Sequence, residues 1–187
     1  NAWGLPYVAC MVGAKLVYAG QNVTPEALVP LIREEEVTYA MGVPTIWQGL
    51  LHYLRQQGGG LGKVQRMVVG GSSAPLSMIQ AYKREFNVEI VHAWGMTEMS
   101  PLGTLNRPFR KMDDWSEARQ WAAKARVGRP APCVELKLVD DAGSELPWDG
   151  AATGELLVRG AAVASAYYNN PEAADRFTTD GWFRTGD

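Results

Sequence analysis

The residues with the clearest capacity for chemistry come directly after a short apolar run. Ile90 to Ala93 has the composition of a buried strand, and Trp94-Gly95-Met96-Thr97-Glu98 follows it without a break. Trp94 offers an aromatic face for stacking on a base, Thr97 can donate a hydrogen bond to a phosphate oxygen, and Glu98 is a hard oxygen ligand suited to magnesium. A core tryptophan followed by a surface Thr-Glu pair is the alternative that composition leaves open.

A second polar loop follows another apolar run. Met67-Val68-Val69 leads into Gly70-Gly71-Ser72-Ser73-Ala74-Pro75, in which glycines permit close backbone approach and serines supply polar donors. Ligands of open parallel sheets bind beyond the carboxyl ends of the strands, so both loops would line one crevice if the two strands are neighbours. A plain strand-to-helix turn is the other interpretation of this loop.

The elements that must position these loops alternate between strand and helix. Segments of helical length and period separate the short apolar runs, which predicts an α/β fold with a parallel sheet and flanking helices. The predicted strands are Leu16-Val17-Tyr18, Val37 to Ala40, Met67 to Val69 and Ile90 to Ala93.

Three stretches carry the signals of helix starts. Thr24-Pro25-Glu26 places an N-cap before a proline and an acidic residue, and Ser77 to Gln80 has capping-box spacing. Pro44 opens a third helix with an apolar face. The residues of that face are Ile46, Leu50 and Leu54, with Trp47 and Leu51 beside them.

The chain divides into three predicted regions. Residues 1–106 form the α/β portion, and residues 107–126 form an exposed helical excursion with a cap-like Asp114 to Glu117. Residues 127–187 form a small β-rich subdomain. Its predicted hairpin joins strands at Val134 to Val139 and Glu155 to Val158 through a turn-rich connection.

Composition excludes several classes of function. The chain has 187 residues, of which 47% are hydrophobic and 20% charged, with a net charge of -2. Neither a nucleic-acid partner nor a polybasic membrane surface fits this balance, and the apolar run from Ala2 to Val12 is too short to span a membrane. Cys10 and Cys133 form no motif, so we expect buried thiols and a cytoplasmic protein.

Four motifs in register carry a family resemblance across essentially the whole chain. They are Gly70 to Pro75, Trp94 to Glu98, Gly154-Glu155-Leu156-Leu157-Val158-Arg159-Gly160 and Gly181-Trp182-Phe183-Arg184-Thr185-Gly186-Asp187. Together they resemble the adenylate-forming superfamily of acyl-CoA synthetases, luciferases and peptide-synthetase adenylation domains. Asn1 to Pro6 and the Ser-Pro after Met99 look most like its medium- and long-chain fatty acyl-CoA ligases.

The resemblance implies roles for the matching residues. Trp94 would stack on adenine, where many relatives carry tyrosine; Thr97 would contact phosphate, and Glu98 would help to hold magnesium. Asp187 would bind the ribose hydroxyls. The implied nucleotide-binding set is Gly71, Ser72, Ser73, Ala74, His92, Ala93, Trp94, Gly95, Met96 and Asp187, with Thr97 and Glu98 as catalytic residues.

Other residues of the motifs have a weaker claim to chemistry. Trp3, Tyr7 and Trp47 are candidates for the acyl pocket, although core packing explains each of them as well. A lone His92 is more often a core histidine. Gly154 to Leu156 and Arg159 are expected to serve the structure of the β-rich subdomain.

The reaction that the resemblance implies has two halves. A fatty-acid carboxylate attacks the α-phosphorus of ATP to give an acyl-adenylate and pyrophosphate, and the thiol of coenzyme A then displaces AMP. ATP, magnesium and coenzyme A are therefore the expected cofactors, with the fatty acid, ATP and CoA as small-molecule partners. We expect no integral membrane segment. We expect the protein to form a homodimer.

The resemblance also predicts that the chain is an internal piece of a longer protein. The family's phosphate loop with its lysine should precede Asn1, and its hinge and lid should follow Asp187. The isolated chain is then expected to be inactive. The alternatives are a ligase for an aryl or short-chain acid, a luciferase-like oxidase, and a nucleotide-binding or structural module without catalysis.

Overall fold

The computed structural model describes residues 2–187, so that Asn1 of the Asn1 to Pro6 stretch lies outside the described residues. The α-helices are α1 (Leu5–Val12), α2 (Pro25–Glu34), α3 (Pro44–Gln57), α4 (Leu76–Phe86) and α5 (Glu117–Lys124). The strands are β1 (Tyr39–Gly42), β2 (Arg66–Val69), β3 (Glu89–Gly95), β4 (Leu102–Leu105), β5 (Arg129–Pro130), β6 (Val134–Val139), β7 (Glu155–Gly160) and β8 (Phe183–Arg184). Short 3₁₀ segments lie at Ala2–Gly4, Thr97–Met99, Arg110–Met112 and Pro171–Arg176.

The larger sheet confirms the predicted α/β architecture. Its five strands lie in the order β1-β2-β3-β4-β5, and β2 pairs in parallel with both β1 and β3. The register sets Val69 opposite Gly42 on one side and His92 on the other. Because β2 and β3 are parallel neighbours, the chain leaves both at the same edge of the sheet, where the two polar loops begin.

The main core packs helices α2, α3 and α4 against this sheet. On α3, the predicted apolar face is buried: Leu50 and Leu54 are 0% and 2% exposed. The Tyr82 hydroxyl of α4 donates to the Trp47 carbonyl at 2.6 Å, which ties the two helices together inside the core. Such burial of apolar faces is the dominant stabilising term of a fold of this kind.

The small antiparallel sheet confirms the predicted β-rich portion. Strands β6 and β7 pair antiparallel from Val134 opposite Gly160 to Val139 opposite Glu155, and β8 adds to β7. In the connection after β6, the Asp140 carboxylate accepts hydrogen bonds from the backbone N–H groups of Ala142 and Ser144. These bonds are typical of aspartate in tight turns.

Two compact units result from this arrangement. Residues 1–95 and 104–129 form the first, and residues 96–103 and 130–187 form the second. The boundaries at 106 and 126 that the sequence suggests stay predictions. Within the first unit, α5 has no buried residue, although Trp121 packs partly against the core.

Two of the predicted helix starts differ in detail from the observed ones. Thr24 occupies the N-cap of α2 as expected, but its side chain makes no capping hydrogen bond. Ser77 was wrongly expected to cap α4, which begins one residue earlier at Leu76. Pro75, with extended backbone, takes the cap position, and its carbonyl accepts from the N–H groups of Met78 and Ile79.

Two further predictions are wrong. Leu16-Val17-Tyr18 forms no strand, because the segment pairs with no other strand within residues 2–187, and Tyr18 is 64% exposed. Cys10 and Cys133 are exposed rather than buried. Cys10 lies in α1, where Ala9 is the buried residue, and Cys133 lies just before β6 with a left-handed backbone at φ +64°.

No helix within residues 2–187 combines the length and apolar character needed to cross a bilayer.

Candidate functional site

The loop after β2 presents its serines to solvent. Ser72 and Ser73 are exposed, and within residues 2–187 neither hydroxyl makes a hydrogen bond. Gly71 has a left-handed backbone at φ +83°, which a residue with a Cβ adopts only under strain. The loop therefore offers open hydroxyl donors at the carboxyl end of a buried parallel strand, in the position where such sheets bind ligands.

His92 connects this loop to the neighbouring strand β3. Its Nε2 accepts a long hydrogen bond of 3.4 Å from the Ala74 N–H, and its side chain is 2% exposed. Burial lowers the pKa of the imidazole, against smaller opposing effects of the Ala125 and Ser72 backbone. The buried Nδ1 has no hydrogen bond of normal geometry within residues 2–187. Buried His92 thus joins β3 to the loop after β2, and its place in the nucleotide site stays a prediction.

Trp94 and Gly95 end β3 at the same edge of the sheet. Trp94 is half-buried and Gly95 is exposed, whereas Ala93 is buried beneath them. The first unit thus brings the predicted adenine-stacking side chain and the serine loop to adjacent parallel strands, as the sequence predicted for two neighbouring strands.

The three candidates for an acyl pocket lie in different surroundings. Trp3 has a left-handed backbone, and its ring carbons lie 3.6 Å from where a Cβ on Gly70 would stand, beside the serine loop. Tyr7 is 69% exposed on α1. Trp47 is 4% exposed within the main core, with its ring packed against Gly42. A role for these three side chains in substrate binding stays a prediction.

Thr97 and Glu98 belong to the second unit and begin its first 3₁₀ segment. Thr97 is exposed, while Glu98 is half-buried and held at two points. Its backbone carbonyl accepts from the Ala164 N–H at 2.7 Å, and its Oε1 accepts from the Tyr167 hydroxyl at 2.5 Å. The bond to the Glu98 carboxylate raises the pKa of Tyr167.

Asp187 is fixed through its backbone to strand β7. Its carbonyl accepts from the Leu156 N–H at 2.9 Å, and its N–H donates to Thr185 Oγ1 at 3.1 Å. The Thr185 hydroxyl in turn donates to the Leu156 carbonyl at 2.7 Å. The Asp187 residue is exposed, so a positioned backbone presents this carboxylate at the surface of the second unit.

The motif from Gly154 to Gly160 is structural in character. A Cβ on Gly154 would stand 2.1 Å from the Val139 carbonyl oxygen, so only glycine fits beside β6. Arg159 pairs with Glu135 at 2.6 Å and lies over the Trp182 ring at 4.6 Å. These contacts agree with the expectation that this motif serves the small sheet.

A resident metal site would need several ligands in one place. Within the described residues, no group of three or more His, Cys, Asp or Glu side chains is arranged to hold a metal ion. A single carboxylate such as Glu98 suits magnesium that arrives with a nucleotide, because that ion usually keeps several waters and binds one or two carboxylates together with phosphates.

One cavity of the first unit lies elsewhere. It measures about 440 Å³ and opens beside Arg66 and Glu89, the first residues of β2 and β3. The loops that carry the candidate residues leave the opposite ends of these strands. This cavity is therefore separate from the candidate site, and the half-buried Lys124–Glu89 ion pair of 2.7 Å lines it.

Sequence reasoning missed Tyr167. Its hydroxyl reaches a carboxylate 69 positions earlier in the chain, a separation over which single-sequence patterns predict no contact. The only local signal was an aromatic pair, Tyr167-Tyr168, before the polar Asn169-Asn170-Pro171 turn.

Comparison with known proteins decides the family. The family described as AMP-binding enzyme matches residues 1–168. This chain belongs to the AMP-binding enzyme family. It is 47% identical over 187 residues to 3-methylmercaptopropionyl-CoA ligase of Ruegeria lacuscaerulensis, which covers 100% of the chain and 34% of that protein. It is 45% identical to the medium-chain-fatty-acid–CoA ligase of Ectopseudomonas oleovorans, with the same coverage of both proteins.

A solved structure shows the same fold in a relative. The N-terminal domain of FACL13 from Mycobacterium tuberculosis matches with a TM-score of 0.78 and 25% identity, over 100% of this chain and 45% of that one. The chain of this AMP-binding family member spans about a third, 34%, of the length of the curated relatives it matches.

Proposed function

We propose that this chain is part of an ATP-dependent, AMP-forming acyl-CoA ligase whose acid substrate is a medium- or long-chain fatty acid. The observation that carries the proposal is the family match over residues 1–168, which includes both polar loops. The 45% identity to a medium-chain-fatty-acid–CoA ligase supports the choice of acid.

The nucleotide is assigned to residues of both polar loops and to the last residue of the chain. Trp94 stacks on adenine, Ser72 and Ser73 donate to polar groups of the nucleotide or the acid, and Asp187 accepts hydrogen bonds from the ribose hydroxyls. Thr97 donates to a phosphate oxygen. The exposed serine hydroxyls support the donor role of the two serines, and the hydrogen bonds of the Asp187 backbone to Leu156 and Thr185 support a fixed position for that residue.

Glu98 is assigned to the metal that accompanies ATP. Magnesium, when bound, neutralises charge on the phosphates and so favours attack at the α-phosphorus. The contribution of this chain is to hold the carboxylate of Glu98 in one place through the Tyr167 hydroxyl and the Ala164 N–H.

The chemistry follows from the weakness of a carboxylate as an acyl donor. Attack of the carboxylate on the α-phosphorus forms a mixed anhydride with AMP and releases pyrophosphate. The thiolate of coenzyme A then adds to the acyl carbon and AMP leaves with the former carboxylate oxygen. The protein contributes by positioning the reactants and by stabilising developing charge.

A second candidate substrate is favoured by a specific observation. The 47% identity to a 3-methylmercaptopropionyl-CoA ligase supports a short acid that carries a thioether.

The further proposals that accompany an enzyme of this kind are a cytoplasmic location, a homodimer and an inactive isolated 187-residue chain.

Carboxylate-dependent exchange between ATP and pyrophosphate tests the proposal. The full-length ligase is assayed with a series of acids from acetate to palmitate, together with benzoate and 3-methylmercaptopropionate. We expect exchange to peak with the medium or long acids and to collapse in Glu98→Ala. A peak at 3-methylmercaptopropionate would establish the second candidate, and a folded protein that exchanges with no acid would refute ligase activity altogether.

A further inference from the structure

Tyr167 makes a direct hydrogen bond to the side chain assigned to the metal. Its hydroxyl donates to Glu98 Oε1 at 2.5 Å, a length typical of an O–H group bonded to a carboxylate. Within residues 2–187, no group donates to the other carboxylate oxygen, Oε2. The two oxygens of this carboxylate are therefore not equivalent: one is engaged by the protein and the other is open.

The tyrosine ring is fixed by packing rather than left on a mobile surface. Tyr167 contacts Phe177 edge-to-face at 5.6 Å between ring centres, and Phe183 at 6.4 Å. Phe183 itself is fully buried and packs against Phe177 at 5.0 Å. Pairs of this geometry stabilise a defined ring orientation, so the hydroxyl has a defined position.

The backbone on both sides of this bond is also tied down. The Ala164 N–H donates to the Glu98 carbonyl at 2.7 Å, three residues before Tyr167. The hydroxyl and the peptide N–H thus approach Glu98 from one segment of the chain. Rotation of the carboxylate would break the first of these bonds.

An engaged oxygen changes which cations a carboxylate prefers. Mg²⁺ binds carboxylates through single oxygens at short distances in a strict octahedron, whereas the larger Ca²⁺ takes up to eight oxygens and readily binds both oxygens of one carboxylate. The Tyr167 hydroxyl competes with a metal ion for Oε1, which disfavours binding through both oxygens and leaves Oε2 as the preferred ligand atom. That arrangement suits the smaller ion.

We propose that Tyr167 is a positioning residue that restricts Glu98 to single-oxygen coordination and thereby selects Mg²⁺ over Ca²⁺ in the nucleotide complex. This inference rests on the proposed function, since it needs Glu98 to bind the metal that accompanies ATP. It assigns to Tyr167 a role in metal specificity rather than in the acid or thiol steps.

The test measures binding of a nucleotide analogue to the full-length ligase by calorimetry. The probe is α,β-methylene-ATP, which cannot be cleaved at the α-phosphorus, titrated in the presence of either Mg²⁺ or Ca²⁺. The quantity of interest is the ratio of the two dissociation constants. The variants are Tyr167→Phe, Glu98→Ala and the matched control Tyr168→Phe, since the neighbouring Tyr168 is 94% exposed.

We expect Tyr167→Phe to reduce the preference for Mg²⁺ by about tenfold, near the lower end of the effect of losing one hydrogen bond to a charged group. Tyr168→Phe should keep the wild-type ratio, and Glu98→Ala should remove the preference. Exchange assays on Tyr167→Phe should show an unchanged KM for the acid, which a general loosening of the fold would alter. If Tyr167→Phe misfolds, Phe177→Leu, which keeps the hydroxyl but loosens the ring, should weaken the Mg²⁺ preference in the same direction.

Two results would overturn the inference in distinguishable ways. A Tyr167→Phe ratio equal to wild type, with the preference lost in Glu98→Ala, would reject the role of Tyr167 and leave the proposed function standing. Wild-type binding that does not depend on the metal or on Glu98 would reject both.

Discussion

Asn106 is the buried side chain whose replacement gives the sharpest test of the fold. It follows β4, is 8% exposed, and directs its amide nitrogen at the end of α5. The Nδ2 group donates to the carbonyls of Ala123 at 2.7 Å, Lys124 at 3.3 Å and Arg126 at 2.5 Å. Ala123 and Lys124 are the last two residues of α5 and Arg126 lies just beyond it, so Asn106 supplies donors where the carbonyls of a helix run out of intrahelical partners.

Asn106→Asp keeps the shape of the side chain but removes both donor hydrogens and adds a negative charge. Two lost hydrogen bonds cost about 1 kcal/mol each, and a carboxylate beside a helix C-terminus costs about 1 kcal/mol more. The expected loss in the free energy of unfolding is therefore about 3 kcal/mol, against about 2 kcal/mol for Asn106→Ala.

The loss should also depend on pH. Burial against carbonyl oxygens raises the pKa of the introduced carboxyl, so the folded variant binds its proton more tightly than the unfolded chain does. The protonated form still donates one hydrogen bond. The free energy of unfolding of Asn106→Asp should therefore fall further below the wild-type value as the pH rises. The fall begins at the carboxyl pKa of the unfolded chain, about 4, and ends above the raised pKa of the folded variant.

Urea unfolding followed by tryptophan fluorescence measures both effects. With a slope of about 2 kcal/mol/M, a 3 kcal/mol loss lowers the midpoint by about 1.5 M. Asn170→Asp makes the same chemical change on an exposed residue and should shift the free energy by less than about 0.5 kcal/mol. If Asn106→Asp lowers the free energy of unfolding no more than Asn106→Ala does, or lowers it equally at every pH, the hydrogen bonds of Asn106 do not have the assigned role.

Two further changes test the packing of each unit. Gly154→Ala places a methyl group 2.1 Å from the Val139 carbonyl oxygen, which should lower the free energy of unfolding by about 3 kcal/mol. The control Gly60→Ala has open space around the new methyl group and should change the free energy of unfolding by less than about 0.5 kcal/mol. Equal effects of the two changes in urea unfolding would contradict the steric account. Burial lowers the pKa of His92 in the folded chain. Between that pKa and the pKa of the unfolded chain, the unfolded chain binds more protons, so the free energy of unfolding rises with pH. Raising the pH from 5.5 to 7.5 should add up to about 1.4 kcal/mol, and His92→Gln, but not His52→Gln, should remove this gain.

The parallel sheet was predictable because its strands are short apolar runs that helices separate. Met67 to Val69 and Ile90 to Ala93 are buried on both faces, which leaves little room for polar residues within them. Their following loops could be assigned to one edge of the sheet on topology alone. The same apolar pattern failed at Leu16 to Tyr18, because a strand also requires a partner and the sequence does not show whether one is present.

The sequence indicated candidate site residues but not the contacts that hold them, because those contacts join residues far apart along the chain. The residue types of Trp94 to Glu98 indicated a nucleotide and a cation, but not how Glu98 is held. Its hydrogen bond to Tyr167, like the cap that Asn106 places on α5, joins segments far apart in sequence. Such contacts depend on tertiary packing, which local periodicity and spacing do not encode.

The proposed reaction begins with attack of a carboxylate on the α-phosphorus of ATP in the enzyme that contains this chain. A carboxylic acid labelled with ¹⁸O in both oxygens tests it, because the attacking oxygen must leave with AMP when coenzyme A takes the acyl group. In a single turnover of the full-length ligase with ATP, coenzyme A and the labelled acid, mass spectrometry should find one ¹⁸O atom in each AMP, in proportion to the acyl-CoA formed. Unlabelled AMP, or label in inorganic phosphate with ADP as the other product, would contradict the adenylate mechanism and the proposed function with it.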